Sequence, residues 1–215
     1  NTTIATQIYA KICFEATNSQ KKIIENLSEY LSDDDFSRIF VLNGFAGTGK
    51  TTLIAAVVAA LKELRIKPVL LAPTGRAAKV LARYCGEQAL TIHKRIYRQR
   101  TNADYESKFS LDFNREQGAV FIVDEASMLS DSTGDGALFG SGSLLEDLVS
   151  YVRSGRGCRL ILVGDSAQLP PVGCDFSPAL DPATVSRYGE VVYGLMDEVV
   201  RQQMQSGILF NATLV

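Results

Sequence analysis

The stretch "GFAGTGKT" at residues 44–51 constrains the fold more than any other part of the chain. It matches the pattern G-x-x-x-x-G-K-[ST] at Gly44, Gly49, Lys50 and Thr51. An apolar run, "RIFVLN" (38–43), comes before it, and a helix-forming stretch, 50–63, comes after. Strand, glycine-rich turn and helix is the order in which such a turn can work as a phosphate cradle. Glycines let the backbone wrap closely, so that several N–H groups point at one phosphate. The helix N-terminus adds partial positive charge. Lys50 is expected to reach the β- and γ-phosphates, and the Thr51 hydroxyl to ligate Mg²⁺. Gly44, Gly47, Thr48, Gly49, Lys50, Thr51 and Thr52 make up the expected nucleotide-binding loop.

The rest of the chain alternates between strand and helix patterns. "PVLLA" (68–72), "AVFIV" (119–123) and "RLILV" (159–163) are continuous apolar runs, typical of parallel strands covered on both faces. Ile4, Ile8 and Ile12 predict a helix over 3–15, and a second helix runs from Gln20. Further helices are predicted over 76–85, stopped by Gly86, and over 143–153. This order predicts an α/β fold with a mostly parallel sheet. Residues 99–118 are polar, with a short hairpin around "KFSLDF". Residues 130–142, rich in glycine and serine, read as a mobile loop, and a last strand and helix fall within 190–210.

Composition excludes several function classes. The net charge of −2 over 215 residues is not that of a globally basic nucleic-acid binder. The longest apolar run, Leu53–Leu61, is far short of the roughly 20 residues that span a bilayer, so no membrane partner is expected. No signal peptide is visible, although the chain begins at Asn1. A single histidine, His93, and four scattered cysteines without C-x-x-C argue against a zinc site. Cys13, Cys85, Cys158 and Cys174 read as buried free thiols of a cytoplasmic protein. Local basic clusters remain: Lys94, Arg95, Arg98 and Arg100 in one stretch, and Arg76, Lys79 and Arg83 at helical spacing. Such clusters read either as solvated faces or as nucleic-acid contacts.

Two further strand ends supply polar groups. "FIVDEAS" ends its strand at Asp124, followed by Glu125. Mg²⁺ takes few carboxylates and keeps several waters, so one strand-end aspartate suits it. Glu125 is placed to orient or deprotonate an attacking water. "LVGDSAQLPPVG" (162–173) delivers a neutral amide, Gln168, into a turn stiffened by Pro170 and Pro171. In an open parallel sheet, ligands bind beyond the carboxyl ends of the strands. There an amide can bond a γ-phosphate where a carboxylate would repel it. "APTGRAAK" is another strand-to-helix loop, so Pro73, Thr74, Gly75 and Arg76 at a helix N-terminus are candidates for holding a nucleic-acid phosphate. His93 is a candidate for a base or backbone contact, and Tyr97 for a stacking face.

Taken together, "GFAGTGKTT", "LLAPTGRAAKVL", "TIH", "FIVDEASM", "LVGDSAQLPPVG" and "EVVRQ" resemble superfamily 1 helicases, specifically the RecD-like group related to the exonuclease V alpha subunit. The resemblance covers residues 18–209. It implies a P-loop NTPase with a RecA-like three-layer fold, ATP and Mg²⁺ as cofactors, and ATP hydrolysis coupled to movement on single-stranded DNA. It implies that Gln20 reads adenine, that Lys50, Thr51, Asp124 and Glu125 run hydrolysis, and that Gln168 senses the γ-phosphate. Arg201, in "EVVRQ", is implied to reach the γ-phosphate from a domain boundary. Other subunits of a helicase–nuclease complex, and a role in DNA repair and recombination, follow from the same resemblance. The implied organisation is N-terminal helices with the adenine-reading segment over 1–36, a motor domain over 37–190, and the start of a truncated second motor domain over 191–215.

The sequence departs from the group in two places. The chain stops at Val215, just past "EVVRQ", and "CDFSPALDPATVSRYG" replaces a small polar linker. Slow hydrolysis and no unwinding are the expectation for such a chain. Two other functions stay open at this point. One is a nucleotide-switched nucleic-acid-binding module that does not translocate. The other is a P-loop ATPase acting on protein partners, a class that usually carries a small polar sensor rather than "GDSAQLPPV".

Overall fold

The computed structural model describes residues 3–101, 107–131 and 138–198. In chain order its strands are β1 (Ile39–Gly44), β2 (Pro68–Ala72), β3 (Ala89–Thr91), β4 (Tyr97–Thr101), β5 (Ser107–Leu111), β6 (Val120–Val123), β7 (Arg159–Gly164) and β8 (Val191–Met196). Its helices are α1 (Ile4–Lys11), α2 (Asn18–Ser32), α3 (Lys50–Glu63), α4 (Gly75–Cys85), α5 (Ile92–Ile96), α6 (Leu144–Ser154) and α7 (Pro182–Val185). A six-stranded sheet runs in the order β3-β2-β6-β7-β1-β8, and all its pairings are parallel. β4 and β5 form a separate antiparallel ribbon, in which Tyr97 faces Leu111.

The sheet separates two apolar layers, because side chains alternate along a strand. Phe40 and Leu42 of β1 join Ile122, Ile161 and Val163 on one face, against Ile8, Ile24, Leu27, Leu53, Val57 and Leu81. Ile39 and Val41 join Phe121, Val123, Leu160 and Leu162 on the other, against Ile92, Ile96, Leu145, Leu148 and Val185. The expected helix–sheet–helix sandwich is therefore present, with α1 to α4 on one side and α5 to α7 on the other.

Several boundaries differ from the sequence expectation, each for a local reason. α1 ends at Lys11 because Ile12 turns to extended backbone and its N–H bonds the Tyr9 carbonyl. α2 starts at Asn18 because Thr17 caps it. The Thr17 hydroxyl accepts from the Gln20 backbone N–H at 3.3 Å, and the Gln20 side-chain amide oxygen accepts from the Thr17 N–H at 3.0 Å. This reciprocal pair is a capping box. α1 and α2, expected as an N-terminal unit, share one core with α3. Val191–Met196, expected to open a second motor domain, instead pairs with β1 from Ile39↔Val191 to Gly44↔Met196. The helix expected beyond it, and Arg201, lie outside the described residues.

At the amino end of the sheet, Tyr30 is 1% exposed, and its hydroxyl serves both polar groups of one residue. It donates to the Leu160 carbonyl at 2.8 Å and accepts from the Leu160 N–H at 3.1 Å. Tyr30→Phe strands both groups in the core. A buried unpaired polar group costs about 1–3 kcal/mol, so urea denaturation of the variant should show an unfolding free energy lower by that order. An unchanged midpoint would mean that the hydroxyl contributes nothing net.

Candidate active site and nucleic-acid face

The turn between β1 and α3 is built to leave its backbone open. Gly47 and Gly49 sit at φ 79° and 84°, in the left-handed region that glycine enters at little cost. Gly44 is required for space. A Cβ there would lie 2.9 Å from Lys50 Cγ and 3.0 Å from Met196 Cβ. The Lys50 ammonium folds back over Gly44 and donates to the carbonyls of Gly44 and of Phe45, the latter at 3.0 Å. Thr51, half-buried, and Thr52, exposed, follow it on the first turn of α3. Thr48 turns inward: it is 1% exposed and its hydroxyl donates to the Phe45 carbonyl at 2.7 Å.

Gln20 is also built into the loop's support. Its amide nitrogen donates to the Thr48 carbonyl at 3.1 Å, while its oxygen belongs to the α2 capping box. Both ends of the amide are thus engaged inside the protein, and the side chain is 1% exposed. In this arrangement Gln20 fixes the distance between α2 and the phosphate loop.

Asp124 and Glu125 leave β6 at the same sheet edge. The Asp124 N–H bonds the Leu71 carbonyl at 3.0 Å, and its carboxylate accepts from the Glu125 N–H at 2.9 Å. Burial pushes the Asp124 carboxyl above the ordinary range, against the pull of its hydrogen bond with the Glu125 N–H and of the Lys50 charge. Glu125 is raised by burial first and by the Asp124 charge second, while Lys50 pulls it down. Lys50 therefore lies within electrostatic reach of both carboxylates. Glu125 itself sits at φ 54°, a left-handed conformation that costs a side-chain-bearing residue about 1–2 kcal/mol.

The turn after β7 brings the third group. Asp165, 4% exposed, accepts from the Ala167 N–H at 2.9 Å through its carboxylate and from the Gln168 N–H at 3.1 Å through its carbonyl. The Gln168 amide is exposed, and its oxygen accepts from the Ser127 hydroxyl at 3.4 Å. Ser127 is fully buried and lies two residues beyond Glu125. Gly164 permits that approach: a Cβ would meet the Ser127 nitrogen at 3.0 Å and Leu180 Cδ1 at 2.9 Å. The strand ends at 44, 123 and 164 thus carry Lys50, Asp124, Glu125 and Gln168 to one edge.

The candidate nucleic-acid residues divide. Pro73 is half-buried, and Thr74, Gly75 and Arg76 are exposed at the start of α4, where the Thr74 hydroxyl caps the Ala77 N–H at 3.2 Å. Arg76, Lys79 and Arg83 are all exposed on α4, and none joins an ion pair among the described residues. The 94–100 stretch behaves differently, because Arg95 pairs with Glu116 and Arg98 with Asp112, each at 2.6 Å. Tyr97 is 6% exposed and donates to Asp147 at 2.6 Å, so it does not offer a stacking face. His93 packs edge-on to Phe139 with ring centroids 5.0 Å apart. The thiols also divide: Cys158 is buried, Cys85 and Cys174 are half-buried, and Cys13 is exposed.

Residues that sequence reasoning passed over are Asn43, Ser127, Asp165, Ser166 and Tyr193. Asn43 carried a signal, being the polar end of an otherwise apolar run. Ser127 and Tyr193 carried none, because their partners lie far away in the chain.

Burial holds the His93 pKa below its ordinary value of 6.5. The unfolded chain therefore takes up a proton first as pH falls, and the stability that neutral His93 contributes is lost on acidification below that value. The chain has one histidine, so the comparison is clean. The stability difference between wild type and His93→Phe should shift against the wild type between about pH 7 and pH 5.5. Parallel urea curves at each pH measure it, and a difference that does not change with pH would contradict it.

A family profile described as an AAA domain matches residues 15–209. The ATP-dependent RecD2 DNA helicase of Deinococcus radiodurans is 31% identical over 154 residues, which cover 72% of this chain and 19% of that protein. The RecBCD enzyme subunit RecD of Mycobacterium tuberculosis is 32% identical over 201 residues, covering 76% of this chain and 32% of that protein. The chain thus spans no more than a third of these relatives' lengths. Among solved structures, Pif1 helicase from Bacteroides in complex with ADP-AlF3 and ssDNA superposes with a TM-score of 0.56 at 19% identity, over 89% of this chain and 44% of that one. Pif1 helicase from Candida albicans superposes with a TM-score of 0.54 at 22% identity, over 88% and 41%. The parallel sheet, the phosphate loop and the profile match agree: the chain belongs to the AAA domain family, in its RecD-like superfamily 1 group, and has the RecA-like P-loop fold of a helicase motor domain.

Proposed function

We propose that this chain hydrolyses ATP and couples hydrolysis to movement on single-stranded DNA, as the motor domain of a DNA helicase. One observation carries the reading: Lys50, Asp124, Glu125 and Gln168 follow strand ends at the same sheet edge, with Lys50 within electrostatic reach of both carboxylates. On ATP binding, Lys50 exchanges the carbonyls of Gly44 and Phe45 for the β- and γ-phosphates. The loop N–H groups and the start of α3 hold the phosphate oxygens. Thr51 and Asp124 are the groups that would hold Mg²⁺; when bound, it neutralises charge on the phosphates. Their chemistry fits that ion, a hydroxyl and one carboxylate at an edge open to water.

Glu125 takes a proton from the attacking water. The water oxygen bonds to the γ-phosphorus as the bond to the bridging oxygen of ADP breaks, and Glu125 returns the proton to solvent. Its raised carboxyl suits a group that must accept a proton near neutral pH. Gln168 reads whether the γ-phosphate is present. Gln20 reads adenine only after exchanging its bond to Thr48. The exposed cations of α4, without ion-pair partners among the described residues, together with Thr74 and Gly75 at its start and His93 nearby in the chain, support a phosphate backbone as the other ligand. Arg201, outside the described residues, completes the proposal as a γ-phosphate contact. The proposed setting is cytoplasmic, beside other subunits of a helicase–nuclease complex.

Turnover measured with and without single-stranded DNA tests the proposal, and stimulation by DNA is expected. Lys50→Ala should abolish hydrolysis and weaken ATP binding. Glu125→Gln should keep ATP affinity within a few-fold while kcat falls by about 10²–10⁴. Normal hydrolysis in the glutamine variant would remove the role of Glu125. ATP binding that changes DNA affinity without turnover in the wild type would leave a switch rather than a motor.

A further inference from the structure

We propose that Asn43 is a positioning residue that locks the phosphate loop to the Gln168 turn, so that the two move as one body. The proposal rests on the reading of this edge as an ATP site coupled to DNA. Asn43 is the last residue of β1 before Gly44, and its register partners are Gly164 on β7 and Leu195 on β8. It is 5% exposed, a polar side chain at the end of a strand whose other side chains are apolar. Its amide oxygen accepts from the Ser166 N–H at 3.0 Å. Its amide nitrogen donates to the Ser166 hydroxyl at 2.8 Å and to the Tyr193 hydroxyl at 2.9 Å.

That pattern fixes the amide's orientation. A backbone N–H can only donate, so the oxygen must face Ser166, and both amide hydrogens then point at hydroxyl oxygens. Aspartate would lose both donors, and leucine would make none of the three bonds. The result is a cross-brace over β7, β1 and β8 at the edge where the nucleotide binds. On one side of Asn43 is Gly44, whose carbonyl receives the Lys50 ammonium. On the other side is Ser166, two residues before Gln168 in a turn already closed by Asp165. When Lys50 leaves Gly44 for a phosphate, a displacement of Gly44 is passed through one buried amide to the turn. No other side chain of β1 makes a polar contact with the 164–168 turn among the described residues.

The test is a thermodynamic cycle on the 215-residue chain, using a non-hydrolysable ATP analogue and an oligothymidine. The coupling factor is the ratio of oligothymidine affinities with and without the analogue, typically 5–150-fold where two sites are linked. In Asn43→Ala the factor should fall to within about twofold of unity, while the affinity for each ligand alone changes less than the factor does. Ser166→Ala removes one acceptor at an exposed position and should lower the factor part of the way. If Asn43→Ala does not fold, Ser166→Ala with Tyr193→Phe removes both hydroxyl acceptors and keeps the Ser166 N–H bond, so the factor should fall part of the way, and an unchanged factor overturns the proposal. A role confined to stability would lower the denaturation midpoint and leave the factor at its wild-type value, and that result overturns the proposal. A wild-type factor of one would instead overturn the reading on which it rests, since no coupling would exist to transmit.

Discussion

Strands covered by helices on both faces can carry polar side chains only at their ends, and this constraint organises the whole molecule. β1, β6 and β7 are buried along their full lengths. Every chemically useful group is therefore forced to the loops, and the parallel arrangement sends those loops to one edge. At the opposite edge the same constraint produces different solutions. Arg159 begins β7 and is 7% exposed; its guanidinium lies 4.6 Å from the Phe36 ring centroid and 5.5 Å from that of Tyr30. One end of the sheet holds its charge against aromatic rings, and the other sets two carboxylates within reach of one lysine.

Within the candidate site, buried charge sets the resting state. Two carboxylates stand together where burial resists ionisation, and one lysine stands near both without pairing with either. Lys50 is held by backbone carbonyls instead. Those bonds are neutral-acceptor bonds, weaker than the charged ones a phosphate offers. On the proposed reading, an incoming phosphate supplies Lys50 with a better partner than the protein does.

The parts of this arrangement that could be read from the sequence are those specified by neighbouring residues. α3 and β2 fall where the periodicity and the apolar run place them, because the glycine turn and Pro68 punctuate them locally. The phosphate loop and the two carboxylates follow from the same short-range logic. What escaped depends on partners distant in sequence. Tyr97 looks like a free ring beside basic residues until α6 brings Asp147 to its hydroxyl, 50 positions away. Gln20 looks like a surface residue opening a helix until Thr48 arrives 28 positions later. Val191–Met196 looks like the start of something new until β1 is found with one edge free to pair. A linear pattern records what a residue prefers, and these residues were placed by what came to meet them.

The left-handed backbone at Glu125 has a consequence for anyone redesigning the molecule. Glycine at that position would relax the backbone and remove a carboxyl that burial disfavours, so a procedure that optimises stability alone would write glycine there. On the role proposed for Glu125, the resulting protein would be more robust and inert. Positions at which the stabler residue is the wrong one mark where a chain has been held to a task, and in this fold that position can be recognised from one dihedral angle and one carboxylate.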